Sequence, residues 1–240
     1  MAENRSGEVG TALLIAAHPD DPEFGAGGTV ARWVQEGWRV IYVLCTRGEQ
    51  GTHDPQADPA TVARIREEEQ RAAARVLGVS EVIFLGYPDG LLEPTLDLRR
   101  DLTREIRRYR PQRVICQSPL RVLDTAWLRR NHPDHLAAGA AALAAIYPSA
   151  SSPHLFPELL AAGLEPWVVP EIYVTESGDP NVFVDIADTL ELKIAALRAH
   201  ASQVGSRMDG LAQRLREGAR RLGEAHGLRA AEGFRLIRYD

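Results

Sequence analysis

The run His18-Pro19-Asp20-Asp21 puts one imidazole and two carboxylates within four consecutive residues. A hydrolytic metal site takes three nitrogen or oxygen ligands and keeps one position open for water. His18 and Asp21 can supply two of those ligands from a single turn. Asp20 then stays a free carboxylate beside the ion, suited to take a proton from water. Capping the helix that follows would use one acid, and two adjacent acids with a histidine exceed that need. A second group stands far downstream at His132-Pro133-Asp134-His135, where two histidines three apart enclose a proline and an acid. Either histidine could complete the ligand set, and spacing does not decide between them.

These groups need a scaffold that brings them together. The apolar run Ala12–Ala17 reads as a buried strand, followed by a glycine-rich turn and a helix through Ala31–Gln35 stopped by Gly37. Val40–Cys45 is a second buried strand. Asp58 or Thr61 is placed to cap a long helix through Leu77, with Gly78 as its stop. Val82–Leu85 is a third strand, Leu96–Tyr109 a helix and Arg113–Cys116 a fourth strand. Residues 118–130 read as a loop, and Asp134–Tyr147 as a helix of small residues that packs closely. Residues 148–170 carry five prolines and read as an irregular surface insertion. Short strands at Ile172–Thr175 and Val182–Asp185 follow, then helices at Leu190–His200 and Met208–Leu222, and an edge strand at Phe234–Tyr239. Strands alternating with helices give βαβ units and a mostly parallel sheet with helices on both faces. The fold class expected is α/β, Rossmann-like, a single domain over residues 1–240 with its core at about 12–203. Ligands of such sheets bind at the carboxyl ends of the strands. The polar clusters sit there: His18–Asp21 after the first strand, Thr46-Arg47-Gly48-Glu49 after the second, Tyr87-Pro88-Asp89-Gly90 after the third, and the His132–His135 group beyond the fourth.

Taken together, Ala17-His-Pro-Asp-Asp21, Phe24-Gly-Ala-Gly-Gly-Thr29, Thr46-Arg-Gly-Glu49, Pro88-Asp-Gly90 and His132-Pro-Asp-His135 resemble the signature set of the PIG-L/LmbE deacetylases. The order and spacing match from about Ala12 to about His200. The resemblance implies a zinc-dependent hydrolase that removes the acetyl group from an N-acetylglucosamine-like amine. It implies zinc ligation by His18, Asp21 and His135, with Asp20 as general base. His132 would stabilise the oxyanion or protonate the leaving amine, oriented by Asp134. Arg47 would contact a substrate hydroxyl or anionic group, and Asp89 would line the same pocket. One departure is that Pro22 stands directly after the paired aspartates, where relatives often carry an acid, and Glu23 comes one position later. His200 and Gln203 also resemble a recurring feature of the family, although a surface helix end explains them equally well.

Composition narrows the alternatives. A net charge of −5 and the absence of a concentrated basic stretch argue against a nucleic-acid partner. No apolar run approaches the ~20 residues that span a bilayer, and the first ten residues lack a secretory layout, so the expectation is cytoplasmic. Cys45 and Cys116 read as small buried hydrophobes rather than a disulfide or metal pair. The arginines between Arg99 and Arg113 alternate with Asp101 and Glu105, as on a solvated helix face. His53, His154 and His226 read as exposed. The partner expected is a small N-acetylated sugar or conjugate, with homo-oligomerisation left open. A rival within enzymes is an amidase acting on an acyl-cysteine or thiol conjugate. A nucleotide-binding module without catalysis would require Gly-x-Gly-x-x-Gly, and Gly25-Ala-Gly-Gly28 lacks that spacing.

Overall fold

In a computed structural model of the chain, which describes residues 9–121, 123 and 131–239, the strand β1 (Gly10–Ala16) is buried along its entire length. It pairs in parallel with β2 (Trp38–Thr46) on one side and with β4 (Arg113–Gln117) on the other. β3 (Glu81–Tyr87) extends the sheet beyond β2, and β5 (Glu171–Thr175) beyond β4, all parallel. β7 (Ala231–Arg238) and β6 (Val182–Asp185) complete the order β3-β2-β1-β4-β5-β7-β6, with β7 antiparallel to both neighbours. The C-terminal strand is therefore internal, and β6 is the edge. An edge position for Phe234–Tyr239 is corrected accordingly; Phe234 is fully buried.

Side chains alternate across the sheet, as the period of two requires. Leu13, Ile15, Ile41 and Val43 point to one face, where α3 (Leu96–Tyr109) and α4 (Pro133–Ala144) cover them. Ala12, Leu14, Val40 and Tyr42 point to the other, under α1 (Asp21–Gln35), α2 (Pro59–Leu77) and α6 (Leu190–Arg198). α8 (Met208–Glu224) packs outside α6 around Ile186 and Leu197, and the short α5 (Pro157–Ala161) and α7 (Ala201–Val204) fill connections. Local signals set the boundaries. Asp58 accepts a hydrogen bond from the Thr61 N–H at 2.9 Å, and Gly78 ends α2 at φ 78°.

Two expectations about this half of the chain are corrected. The helix after His132 ends at Ala144 rather than Tyr147, because Tyr147 precedes Pro148 and adopts φ −141°, ψ 130°. The segment from 148 onward is irregular apart from a five-residue helix and lies largely at the surface, as expected, but its start is anchored to α3. Arg107 of α3 is buried at 2% exposure and donates to the carbonyls of Ser149, Ala150, Ser152 and Leu155, while Arg99 donates to Ser149 Oγ. Arg107 thus departs from the solvated face expected of its helix. The loop expected at 118–130 lies partly outside the described residues.

Candidate active site

The carboxyl end of β1 delivers His18, and the chain turns sharply at Asp20, whose φ of 87° is left-handed. Asp21 then opens α1. On the other side of the switch between β1 and β4, His132 is the N-cap of α4, its Nδ1 accepting from the Asp134 N–H at 3.2 Å. His135 lies in the first turn. Gly139, four residues on and so on the same helix face, brings α4 against the backbone after β4. A Cβ there would stand 2.4 Å from the Gln117 carbonyl oxygen and 2.9 Å from Pro119 N, closer than real Cβ atoms approach. The small-residue helix is what allows His135 to reach His18.

The three imidazoles form a triangle, with ring centroids 4.8 Å (His18–His132), 5.3 Å (His18–His135) and 5.2 Å (His132–His135) apart. Asp21 joins two of them: Oδ2 is 3.2 Å from His18 Nδ1, and Oδ1 is 3.1 Å from His135 Nε2. The far nitrogen of His18, Nε2, lies 3.1 Å from Asp89 Oδ1 and 3.1 Å from Asp134 Oδ2. His135 Nδ1 points toward Glu176 at 3.5 Å and makes no hydrogen bond. Two imidazole nitrogens and a carboxylate facing one another could hold a divalent cation, with carboxylates behind His18 fixing its ring. The atoms that would take the ion, His18 Nδ1, His135 Nε2 and the Asp21 carboxylate, are paired with one another here, so the residues fit the group. Two other groupings, His18 with His132 and His135, and His18 with Asp89 and Asp134, each bring one ligand atom per residue within 4.8 Å of one another.

The neighbouring acids sit in opposite electrostatic surroundings. Burial pushes the Asp20 carboxyl up to about 7; Arg66 opposes the shift and the Asp21 charge adds to it. Burial acts on Asp21 too, but His135 and then His18 overcome it and hold Asp21 well below the usual carboxylate range. Against burial, Asp21 in turn lifts His135 to about 10 and His18 well above its ordinary value. Burial lowers His132, and the two other imidazoles lower it further.

Several side chains land elsewhere than the sequence implies. Asp134 is fully buried, and its carboxylate accepts from Gly90 N–H (2.7 Å), Leu92 N–H (3.3 Å) and His18 Nε2. Its backbone N–H, rather than its carboxylate, meets the His132 ring. Asp89 is 6% exposed, with one oxygen on His18 and the other accepting from Gln50 N–H at 2.8 Å. Arg47 is half-exposed and pairs with Glu67. His200 is wholly buried and lies 3.1 Å from Glu23 Oε2, which excludes a surface helix end. Gln203 donates to the Gly51 carbonyl at 2.8 Å. His53, His154 and His226 are exposed as expected.

Sequence reading misses Arg66, Gln70 and Glu176. Arg66 donates to the Pro19 and Gly48 carbonyls at 2.6 and 2.9 Å and lies 3.3 Å from Asp20 Oδ2. Gly48, at φ 72°, leaves no room for a Cβ beside that guanidinium, which explains the glycine in Thr46-Arg-Gly-Glu49. A signal was present: Val62, Arg66, Gln70, Ala73 and Leu77 form one buried stripe of α2, so two polar residues occupy the apolar phase of the helix. Beside the centre lie two clefts. One of about 360 Å³ includes Asp21, Thr175 and Glu176 in its wall; the other, about 510 Å³, runs between Gln50–His53 and Ser202–Arg207.

With this geometry, the chain is similar to characterised proteins. A family model described as GlcNAc-PI de-N-acetylase (PIG-L) matches residues 13–146. Diacetylchitobiose deacetylase of Thermococcus kodakarensis is 34% identical over 96% of this chain and 84% of its own length. A probable N-acetyl-alpha-D-glucosaminyl L-malate deacetylase of Bacillus anthracis is 30% identical over 86% of this chain and 87% of its own. The solved structure of N,N'-diacetylchitobiose deacetylase from Pyrococcus horikoshii in complex with an inhibitor superposes with a TM-score of 0.86. It is 34% identical and covers 95% of this chain and 84% of the other.

Proposed function

The chain belongs to the PIG-L family of de-N-acetylases, and from that premise we propose that it hydrolyses the acetamide of an N-acetylglucosamine-type sugar, using a zinc ion held by His18, Asp21 and His135. The observation that carries the ligand set is Asp21 spanning the two imidazoles, at 3.2 Å from His18 Nδ1 and 3.1 Å from His135 Nε2. Among the described residues the ion-pair partners of Asp21 are His18 and His135, and His132 Nδ1 is spent on the helix cap. Zinc takes two imidazoles and a carboxylate readily, and when bound it supplies Lewis acidity toward the amide carbonyl and acidifies water.

The protein residues supply the rest. Asp20 accepts the proton of the attacking water at its carboxylate, which Arg66 orients from 3.3 Å. The water oxygen bonds to the acetyl carbon and the carbon–nitrogen bond breaks. Because His132 Nδ1 accepts a hydrogen bond, its neutral ring carries the proton at Nε2. That N–H is available to the oxyanion, and the proton that Asp20 takes from the water passes on to the departing nitrogen. Products are acetate and the free amine. Asp89 and Asp134 hold the His18 ring from behind, and we assign them that role in place of substrate contact or His132 orientation. Arg47, tied to Glu67 at the rim, remains the candidate for a substrate hydroxyl. Cys45 and Cys116 are buried and unpaired with each other. In the purified chain, His135→Ala should lose most of about one bound zinc per chain, and His132→Ala should keep it while losing turnover. Full occupancy in His135→Ala would transfer the ligand role to His132.

A further inference from the structure

Asp20 keeps a left-handed backbone conformation, φ 87° and ψ −28°, which a residue with a side chain holds only where its surroundings fix it. Its N–H donates to Gln70 Oε1 at 2.8 Å. Gln70 Nε2 donates to Glu23 Oε1 at 2.9 Å, and Glu23 Oε2 lies 3.1 Å from His200 Nε2. Gln70, Glu23 and His200 are all at 0% exposure. Polarity along this chain is forced. A backbone N–H only donates and a carboxylate only accepts, so the Gln70 amide fits one way round and His200 carries its proton at Nε2. Packing does not call for such a series, because apolar side chains of similar volume avoid the desolvation that three buried polar groups incur. The series also joins three elements, α2, α1 and the turn after α6, to one peptide group.

We propose that Gln70, with Glu23 and His200 behind it, is a positioning device that locks the Asp20 peptide so that its carboxylate faces the hydrolytic water. The inference rests on Asp20 being the general base. Gln70→Leu removes the acceptor, and Gln70→Glu sets two carboxylates against each other. Gln70→Glu combined with Glu23→Gln restores a donor opposite every acceptor: the new carboxylate accepts from Asp20 N–H and from the new amide, whose oxygen accepts from His200.

The test compares the full-length, zinc-loaded variants for amine release from N-acetylglucosamine, metal content and hydrogen exchange of the Asp20 amide. Each single variant of Gln70 should lower kcat by roughly ten- to a hundredfold, with KM and zinc per chain little changed, and the exchanged pair should recover most of the loss. The Asp20 amide should be protected in the unaltered chain and the exchanged pair, and unprotected in Gln70→Leu. A kcat that is unchanged, a loss that tracks metal content, or an exchanged pair as impaired as the single variants would overturn the proposal. The amide measurement needs no turnover. If the unaltered chain fails to act on the sugar, the deacetylase reading fails while protection of Asp20 still decides this one.

Discussion

Two adjacent carboxylates are driven to opposite ends of their range: Asp20 upward by burial to about 7, and Asp21 downward against burial by His135 and His18. The proposed roles of proton acceptor for Asp20 and ligand for Asp21 call for such divergence. Asp20→Asn should therefore keep its zinc and slow turnover by at least about a hundredfold. Loss of zinc in that variant, or near-normal turnover, would exchange the roles of the two acids. Metal and protons also compete for the same nitrogens. With His135 lifted to about 10 and His18 lifted as well, both imidazoles favour the proton below those values, and zinc must displace it. Affinity should rise with pH, and binding at about pH 7.5 should release protons, read by calorimetry in buffers of differing ionisation enthalpy. Enthalpies independent of buffer would contradict this. Much of the site is legible in the sequence at this scale, because His18, Asp20 and Asp21 share one turn and His132 and His135 another. Arg66, Gln70 and Glu176 stand apart from the motifs, since the partner of each is distant in sequence: Gln70 lies 50 residues from Asp20.

Elements were legible where chemistry is local. Helix α3 spans Leu96–Tyr109 as the pattern implies, its cap Thr95 accepting from Leu98 N–H at 3.2 Å. The period of α3 does not reveal Arg107, because a charged residue amid other arginines looks solvated until the carbonyls of a distant segment enclose it. Those four carbonyls lie 42 to 48 residues downstream. Removing their donor leaves buried acceptors unpaired, at about 1–3 kcal/mol for such a group. Arg107→Ala should lower the urea midpoint by an amount equivalent to at least about 2 kcal/mol, with zinc content preserved. An unchanged midpoint would show that water replaces the guanidinium. The position of β7 was hidden for a related reason: antiparallel insertion between β5 and β6 depends on pairings such as Ile172 with Ile237, across the whole late chain.

For the molecule as a whole, the alternation of strands and helices fixes the parallel order β3-β2-β1-β4-β5, and that order places the switch point between β1 and β4. His18 and Asp21 arrive from one side of the switch and His132 and His135 from the other. Asp89 and Glu176 arrive from the ends of β3 and β5, so the centre exists only when the sheet is complete. Among the described residues no helix is long and apolar enough to cross a membrane. Family membership and the assembled centre lead to one claim: a metal held by His18, Asp21 and His135 enables hydrolysis of an N-acetylated sugar. The most direct test is amine and acetate release from N,N'-diacetylchitobiose by the purified chain, stripped with chelator and then titrated with zinc. Equimolar amine and acetate are expected, abolished by stripping and restored as zinc approaches about one ion per chain. Release that survives complete removal of metal, or none from N-acetylated sugars at any zinc occupancy, would contradict it.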